Sequence, residues 1–380
     1  MNKKLSIVFV TNNYSPYQGG VVSSIVTTRE ALRAQGHIVH LITLDFTGNH
    51  HHEEGVIRLH CPVRFMYKKN HMALPLFAHT HLDQLLKQLK PDIVHIHHPF
   101  LLGQAALQAA QENQITSVFT YHTLYEHYVH YIPLIPKVIT QHALHKRLEK
   151  FCNSIDGIIA PGSYVEKQIR AYAPKKPVQI IPSSIAPLFF ENRPELPKSI
   201  TKPFTLLTVS RFTPEKNIPF LLDVMKLLKN CPFRLILAGY GSEYDQLKAY
   251  AYKVQKLSPN TILFIEKPSK ELLINLYHQA HLFLFASTSD TQGLVLAEAM
   301  SQGTPVIALD GPGQRDSIKN GHNGFLVTTQ NEMAQKIRST LSNRRLLTML
   351  QNNTLETAQN YSSTRLTEKL TDFYRSLLVG

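Results

Sequence analysis

The chain has 380 residues, of which 43% are apolar and 18% are charged, with 40 Lys and Arg against 27 Asp and Glu. This composition excludes a disordered or fibrous protein, and the length indicates two or three globular domains. The net charge of +13 is spread over both halves, which suits an acidic partner such as nucleic acid, an anionic membrane surface or a phosphorylated small molecule, or simply a soluble basic protein.

The first half of the chain alternates between apolar runs and amphipathic stretches. Strands are predicted at residues 5–10, 39–44, 93–96, 117–120, 157–160 and 179–181. Helices are predicted at 21–34 and 82–89. The run at 5–10 is too short for a signal peptide, and no run reaches the roughly 18 residues of a membrane helix. We therefore expect a cytoplasmic protein.

The same alternation restarts after residues 182–203, a proline-rich stretch without periodicity. Strands are predicted at 204–210, 233–238, 261–264, 281–286 and 305–309, and helices at 219–229, 293–301 and the C-terminus. The pattern predicts an α/β protein with domains at 1–185 and 204–358, a linker at 186–203 and a final helix at 359–380. Ligands of such sheets bind at the carboxyl ends of the strands, so we expect chemistry in a cleft between the domains.

Segment 287–300 follows a predicted strand and opens a helix. The backbone amides of Gly293, Leu294 and Val295 would lie at the helix N-terminus, which favours a phosphate. Asp290 and Glu298 offer carboxylates that accept hydrogen bonds from sugar hydroxyls. The alternative is an N-cap followed by a surface glutamate.

Two other loops follow predicted strands. Arg211 and Lys216 form a cationic pair suited to a diphosphate, or two solvated charges. Gly19 and Gly20 let backbone approach a ligand closely, although glycines are common in such turns. They do not form the Gly-x-Gly-x-x-Gly pattern, so a dinucleotide dehydrogenase is disfavoured.

Segment 121–133 carries His122 at a strand end and four tyrosines, among them Tyr125 and Tyr128. Tyrosines suit a lipid–water boundary, or pack a loop when half-buried. Basic residues interleaved with apolar ones indicate a membrane-surface site or an ordinary solvated face. They occur in two stretches and comprise Arg64, Lys68, Lys69, Lys146 and Arg147.

Metal and nucleic-acid sites are not indicated. The histidines cluster before residue 150, but no acidic or cysteine partner has zinc-like spacing near them. The three cysteines lie far apart and predict no disulfide. No nucleic-acid-binding module is evident, and Trp is absent.

Taken together, these segments resemble the family-four retaining glycosyltransferases, which have the GT-B fold. The resemblance covers essentially the whole chain, from the glycine pair at 19–20 to the segments at 311–316 and 320–327. A closer likeness is to bacterial diacylglycerol glucosyltransferases, whose segments HTxYExYxHYIP and TETQGLVxxEAM are matched at 122–133 and within 288–300. The resemblance implies two Rossmann-like domains facing a cleft, with the C-terminal helix crossing back to the first domain.

The resemblance also implies roles for the site residues. Gly19 and Gly20 would approach the donor, and His122 would contact the outer hydroxyls of its sugar. Arg211 and Lys216 would neutralise the diphosphate and stabilise the leaving UDP. The remaining implied contacts are Asp290 with the hexose, Glu298 with the ribose, and Gly241, Lys267 and Pro268 around the base.

The implied reaction transfers glucose from UDP-glucose to diacylglycerol at the inner membrane surface, by front-face displacement and without a metal or other cofactor. The family usually has Glu where this chain has Asp290, so the identity of the hexose is open. The acceptor is also open, since a polysaccharide, a polyprenyl-linked sugar or a phosphoinositide is an alternative. A UDP-sugar epimerase on the same architecture is a further alternative.

Overall fold

The apolar runs form the parallel strands of two sheets. The computed structural model describes residues 3–17, 19–48, 52–67, 70–125, 137–191, 195–196, 198, 202–228, 231–287 and 289–379. The chain divides into two units, Met1–Ser184 with Ser363–Gly380, and Ile185–Ser362. The fold prediction is confirmed, since each unit is a parallel sheet with helices on both faces.

The sheet of the first unit has seven parallel strands in the order β3-β2-β1-β6-β7-β8-β9. Its strands are β1 (Ser6–Val10), β2 (Ile38–Leu44), β3 (Val56–Leu59), β6 (Ile93–Ile96), β7 (Thr116–Thr120), β8 (Gly157–Ala160) and β9 (Val178–Ile180). A separate antiparallel hairpin, β4 (Val63–Tyr67) and β5 (Asn70–Leu74), was not predicted. The helices are α1 (Gly20–Ala34), α2 (Ala78–Leu89), α3 (Leu102–Glu112), α4 (Lys137–Ser154) and α5 (Ser163–Tyr172).

The sheet of the second unit has six parallel strands in the order β12-β11-β10-β13-β14-β15. Its strands are β10 (Phe204–Arg211), β11 (Phe233–Tyr240), β12 (Ile262–Glu266), β13 (Leu282–Phe285), β14 (Val306–Leu309) and β15 (Gly324–Val327). The helices are α6 (Leu188–Glu191), α7 (Ile218–Leu227), α8 (Tyr244–Ala249), α9 (Lys270–Gln279), α10 (Leu294–Ser301), α11 (Pro312–Arg315), α12 (Gln330–Ser342) and α13 (Arg344–Ala358).

The final helix, α14 (Ser363–Leu378), belongs to the first unit. Its apolar face, with Leu366, Leu370 and Phe373, packs in the same core as strand β1 and helix α1. Tyr374 is fully buried, and its hydroxyl lies 2.6 Å from Nδ1 of His95 in β6. The helix therefore completes the core on one face of the first sheet.

The described part of segment 186–203 packs against the second unit. Phe189 is buried in the core beside α9 and α10. Lys198 is also buried, and its ammonium donates to the carbonyl oxygens of Tyr277 and Ala280 at 3.0 and 3.1 Å, and to Oγ1 of Thr304 at 2.6 Å. These contacts hold the segment at the C-terminal end of α9.

Candidate active site

In the second unit, the predicted donor-binding residues gather where the strand order reverses. Arg211 is the last residue of β10, and Lys216 lies in the 3₁₀ turn Pro214–Lys216 that follows it. Asp290 lies in the loop after β13. In the sheet, β10 has β11 on one side and β13 on the other. The carboxyl end of a parallel sheet at such a reversal is the usual ligand position in this class of fold.

Lys216 and Asp290 form a direct ion pair. Nζ of Lys216 donates to both carboxylate oxygens of Asp290, at 2.6 and 2.9 Å. The two side chains are 12% and 23% exposed, so the pair is shielded but reachable. Burial alone raises the pKa of Asp290, but the Lys216 ammonium outweighs it and holds that pKa below its ordinary value. Asp290 is therefore ionised near neutral pH.

Arg211 has a different environment from Lys216. Its side chain is 46% exposed, and its guanidinium lies 3.2 Å from Oε1 of Glu215. The same Glu215 oxygen accepts a hydrogen bond from the Thr213 hydroxyl at 2.7 Å. An exposed pair of this kind is weak, so a diphosphate can replace Glu215 as the partner of Arg211. The sequence analysis missed Glu215, whose i,i+4 spacing from Arg211 was the available signal.

Helix α10 begins without a side-chain cap at its N-terminus. Gly293 precedes the helix with φ 71°, a left-handed conformation that favours glycine. Leu294 and Val295 form the first turn, and no side chain caps the helix at Gly293. A Cβ on Gly313 would lie 2.5 Å from the carbonyl oxygen of Asp290, so Gly313 lets the 311–313 turn pack against the Asp290 loop.

Glu298 lies one turn further into α10. The Tyr277 hydroxyl donates to its Oε2 at 2.8 Å. Burial raises the pKa of Glu298 to about 7, although the Tyr277 hydrogen bond and the charge of Lys270 oppose that rise. The sequence analysis missed Tyr277, because no local pattern links it to a carboxylate 21 residues away.

The residues that were expected to surround the nucleotide base follow the carboxyl ends of β11 and β12. A Cβ on Gly241, just after β11, would lie 2.2 Å from the carbonyl oxygen of Phe212. Lys267 follows β12 with φ 47°, its amide donates to the Gly239 carbonyl at 3.0 Å, and Pro268 comes next. The structure therefore explains Gly241 by close backbone packing.

In the first unit, the glycine pair begins α1. Gly19 is the N-cap residue and Gly20 the first helical residue. Apart from its two chain neighbours, no described residue has a heavy atom within 4 Å of the position that a Cβ on Gly19 would occupy. This part of the chain therefore leaves room for the close approach of a ligand that the sequence predicts.

A cluster of buried histidines lies at the carboxyl ends of β6 and β7. His95 has both ring nitrogens engaged, by Tyr374 and by the Thr120 hydroxyl at 2.7 Å. Next to it, Nδ1 of His97 lies 2.9 Å from Nε2 of His122, and the two rings stack. Burial holds the pKa values of His97 and His122 well below the ordinary value, so both are neutral at pH 7.

The surroundings of His97 fix which nitrogen carries the proton. Its Nε2 is buried and has no hydrogen-bond partner among the residues that the structure describes. A buried N–H without an acceptor is rarer than a buried lone pair without a donor, which places the His97 proton on Nδ1. His97 then donates to Nε2 of His122, which leaves the His122 proton on Nδ1. The sequence analysis did not single out His97.

The expected membrane and acceptor residues are scattered over the first unit. Arg64 is paired with the carboxylate of the buried Asp45 at 2.7 Å. Tyr125 packs edge-on against Phe100. Lys146 and Arg147 are exposed on α4. The remaining three, Lys68, Lys69 and Tyr128, lie outside the described residues.

Two absences hold for the described residues. Within those ranges, no three or more His, Cys, Asp or Glu side chains are grouped so that they could hold a metal ion. Among the helices of the same ranges, none has both the length and the apolar content needed to cross a bilayer.

Two family descriptions match the chain. Residues 18–187 match the family described as Glycosyltransferase Family 4, and residues 190–357 match Glycosyl transferases group 1. An alpha-monoglucosyldiacylglycerol synthase of Streptococcus pneumoniae is 30% identical over 354 residues, which cover 89% of this chain and 78% of that protein. An enzyme of the same name from Acholeplasma laidlawii is 28% identical, over 96% of this chain and 95% of that protein.

Solved structures show the same fold at lower identity. Sucrose-phosphate synthase of Thermosynechococcus elongatus has a TM-score of 0.82 at 20% identity, over 99% of this chain and 100% of that chain. Anabaena HepE in complex with UDP-glucose has a TM-score of 0.75 at 17% identity, over 98% of this chain and 100% of that chain. With its two parallel sheets and charged switch point, this chain belongs to the family-four glycosyltransferases of GT-B fold and is a nucleotide-sugar-dependent glycosyltransferase.

Proposed function

We propose that the protein transfers glucose from UDP-glucose to diacylglycerol at the cytoplasmic surface of the membrane, with retention of anomeric configuration. The main support for a nucleotide-sugar donor is the ion pair between Lys216 and Asp290, whose Nζ and Oδ1 atoms lie 2.6 Å apart. Asp290 lies three residues before Gly293, where α10 begins. The acceptor part is supported by the two alpha-monoglucosyldiacylglycerol synthases that resemble this chain.

In this proposal, cations of the second unit bind the diphosphate. Lys216 donates from a shielded position, while Arg211 exchanges Glu215 for phosphate oxygens and grips them with two donors. The uncapped amides of Leu294 and Val295 add a partial positive charge. These groups stabilise the charge that develops on the leaving UDP, so the reaction needs no metal.

Carboxylates bind the hydroxyls of the donor. Glu298, oriented by Tyr277, accepts from the ribose, and Asp290, oriented by Lys216, accepts from the hexose. Asp290 is one methylene shorter than the Glu that is usual at this position in the family. Its ion pair with Lys216 holds the carboxylate beside the ammonium that binds phosphate in this proposal. Gly241, Lys267 and Pro268 border the base, and Gly19 and Gly20 approach the donor.

In this proposal His122 contacts the hexose, and its ring is positioned by His97, whose Nδ1 lies 2.9 Å from Nε2 of His122. The reaction is a front-face displacement in which the leaving phosphate accepts the proton of the acceptor hydroxyl. No covalent enzyme intermediate is required in this scheme.

Product analysis tests the proposal directly. The protein is incubated with a panel of labelled sugar nucleotides and with vesicles that contain diacylglycerol. We expect UDP-glucose to be the preferred donor and the lipid product to be an α-glucoside, as the anomeric proton coupling reports. Activity should persist in excess EDTA.

Four results would contradict the proposal. Transfer to a soluble polysaccharide without lipid rules out the lipid acceptor, and a phosphoinositide or polyprenyl-linked product assigns another lipid. An epimerised UDP-sugar formed without acceptor assigns an epimerase. Loss of activity in EDTA that Mg²⁺ or Mn²⁺ restores overturns the metal-independent mechanism.

Replacing His97 should weaken the proposed hexose contact without removing it. His97→Phe keeps an aromatic ring but removes the donor to His122, so kcat/KM should fall about 2- to 10-fold, as loss of one neutral hydrogen bond predicts. Steady-state kinetics with UDP-glucose measure this change.

The matched control is His97→Asn, whose side-chain amide places an N–H near the position of Nδ1. It should retain most of the activity that His97→Phe loses. Equal activity of wild-type protein and His97→Phe would show that the His97–His122 contact does not orient the catalytic imidazole.

A further inference from the structure

The hairpin β4–β5 of the first unit presents an apolar face to solvent. In its antiparallel register, Val63 is opposite Leu74 and Phe65 is opposite Met72. Opposed residues and every second residue along a strand share one face of a hairpin. These four side chains therefore form one surface, which we call the outer face, and each is between 38% and 47% exposed.

The opposite face of the hairpin is anchored to the first unit. Ala73 is buried in the core beside Leu59 and Cys61. Arg64 pairs with the buried carboxylate of Asp45 at 2.7 Å, and its Nε donates to the Asp45 carbonyl at 3.1 Å. These contacts hold Arg64 and Ala73 against the unit and leave the outer face turned to solvent.

The apolar surface continues past the hairpin. Leu76 is 52% exposed, and Phe77 is 76% exposed. Phe77 precedes α2 in a left-handed conformation, with φ 54° and ψ 34°, which is uncommon for a bulky residue. Seven apolar side chains along 63–77 therefore face water in the described chain, namely these six and Met66, which is 64% exposed on the other face of β4. Exposed apolar patches of this size mark interaction sites.

The charges of this region favour an anionic partner. Between Glu54 and Asp83 the chain has four Lys or Arg and no Asp or Glu. Arg64 is neutralised by Asp45, but Lys68 and Lys69 follow β4 directly in the sequence. Apolar side chains flanked by cations match the interface of an anionic bilayer, where the acyl boundary meets charged headgroups.

We propose that the outer face of β4–β5, together with Leu76 and Phe77, inserts into the headgroup region of an anionic membrane. This inference rests on the proposed function, since a bilayer is where a diacylglycerol acceptor resides. It assigns the apolar part of membrane binding to a rigid hairpin and gives Arg64 the role of its anchor.

Vesicle sedimentation with the full chain tests the proposal. Mixed phosphatidylglycerol–phosphatidylcholine vesicles should bind the wild-type protein, and the double variant Phe65→Ser/Phe77→Ser should bind at least about tenfold more weakly. Both positions are exposed, so folding should be unaffected, as circular dichroism checks. Sedimentation of the variant equal to that of wild type overturns the proposal.

A matched control removes exposed apolar side chains from the second unit. Val254 is 61% exposed and Leu272 is 40% exposed. Val254→Ser/Leu272→Ser should bind the vesicles as wild type does. If this control loses binding to the same extent, the effect belongs to overall hydrophobicity and the hairpin has no special role.

A spectroscopic reporter gives a second, independent measurement. The chain contains no Trp, so Phe77→Trp introduces a single tryptophan. Its emission should shift to the blue on addition of anionic vesicles and be quenched by brominated lipid, whereas that of Leu272→Trp should not change. An unchanged emission of Phe77→Trp overturns insertion at this site.

The outer face could instead pair with a second copy of the chain. Sedimentation velocity without lipid distinguishes this outcome, because a dimer that Phe65→Ser/Phe77→Ser dissociates would assign the face to self-association and overturn the lipid proposal. All of these measurements omit the nucleotide sugar. A negative result in these membrane-binding measurements would therefore not contradict the proposed transfer reaction. Likewise, a different transfer reaction in the product analysis would not change the result of the vesicle-binding measurements.

Discussion

Lys216→Ala is expected to lower kcat/KM for UDP-glucose by about 100- to 1000-fold, the loss seen when one donor to a developing charge is removed. Lys216 is 12% exposed and sits at the reversal of strand order, where no other described cation contacts Asp290. In the proposed donor site, its loss removes the ammonium from the phosphates and leaves the Asp290 carboxylate without its ion-pair partner. Steady-state kinetics of the purified variant measure the effect.

Two comparisons show whether the loss arises at the site. Lys216→Arg keeps the positive charge and should recover part of the activity, and thermal unfolding should show that Lys216→Ala still folds cooperatively. Glu215→Gln, which removes the partner of Arg211 but no cation, should leave kcat/KM within about tenfold of wild type. Near-normal turnover of Lys216→Ala would mean that the donor site is misplaced.

The ion pair itself is accessible to a double-mutant cycle. Asp290→Asn alone should reduce transfer, since it weakens the proposed hexose contact. In the Lys216→Ala background the same change also removes an uncompensated negative charge, so its cost should be smaller by about 0.5–3 kcal/mol. Strict additivity would show that the contact at 2.6 Å does not couple the two residues during the reaction.

Glu298→Gln is expected to raise the KM for UDP-glucose about 10- to 100-fold at pH 8. The change keeps the size of the side chain but replaces charge-assisted hydrogen bonds to the ribose, each worth about 1.5–3 kcal/mol, with weaker neutral ones. Burial raises the pKa of Glu298 to about 7. The wild-type KM should therefore fall as pH rises through about 7, while that of the variant should stay flat.

Stability should respond to pH in the opposite direction. The folded protein retains the Glu298 proton up to about pH 7, whereas the unfolded chain loses it near the ordinary value of 4.5. Between these values the folded state binds more protons, so the Glu298 contribution to the free energy of unfolding falls as pH rises. Glu298→Gln should remove this part of the slope in urea titrations.

Two results would contradict or qualify the assignment of the pH dependence of KM to Glu298. A KM that falls through pH 7 in both proteins would assign the titration to another group. Tyr277→Phe is the matched control, because it removes the hydroxyl that donates to Glu298 and leaves the carboxylate in place. It should raise the pKa of Glu298 further and move the KM transition to higher pH.

Much of the fold was accessible from local patterns. Short apolar runs at 93–96 and 157–160 were predicted with the bounds that the structure has, because strands buried on both faces are nearly continuous in apolar character. The hairpin β4–β5 was missed because its alternation places Val63 and Phe65 toward water and Arg64 toward the unit. This is the reverse of the usual inward-facing apolar pattern.

The sequence predicted which types of residue form the candidate site, but not which of them contact each other. Strand ends followed by Arg211 and Lys216 indicated a diphosphate site and Asp290 a site for sugar hydroxyls, since the carboxyl ends of parallel strands lie at one edge of a sheet. That Lys216 contacts Asp290, 74 residues away, depends on β10 and β13 being neighbours. Strand order is a property of the whole sheet, so no local pattern contains it.

Sequence alone therefore determined the α/β class, the two units and the residue types of the donor site, because these follow from periodicity, composition and the chemistry of short segments. Tertiary structure decided which charges are paired, which histidine nitrogen carries a proton, and which apolar surface is left in water. His95 and Tyr374, 279 residues apart, are joined only by packing of α14. Burial and strand order create such contacts, and both depend on residues that are distant in the chain.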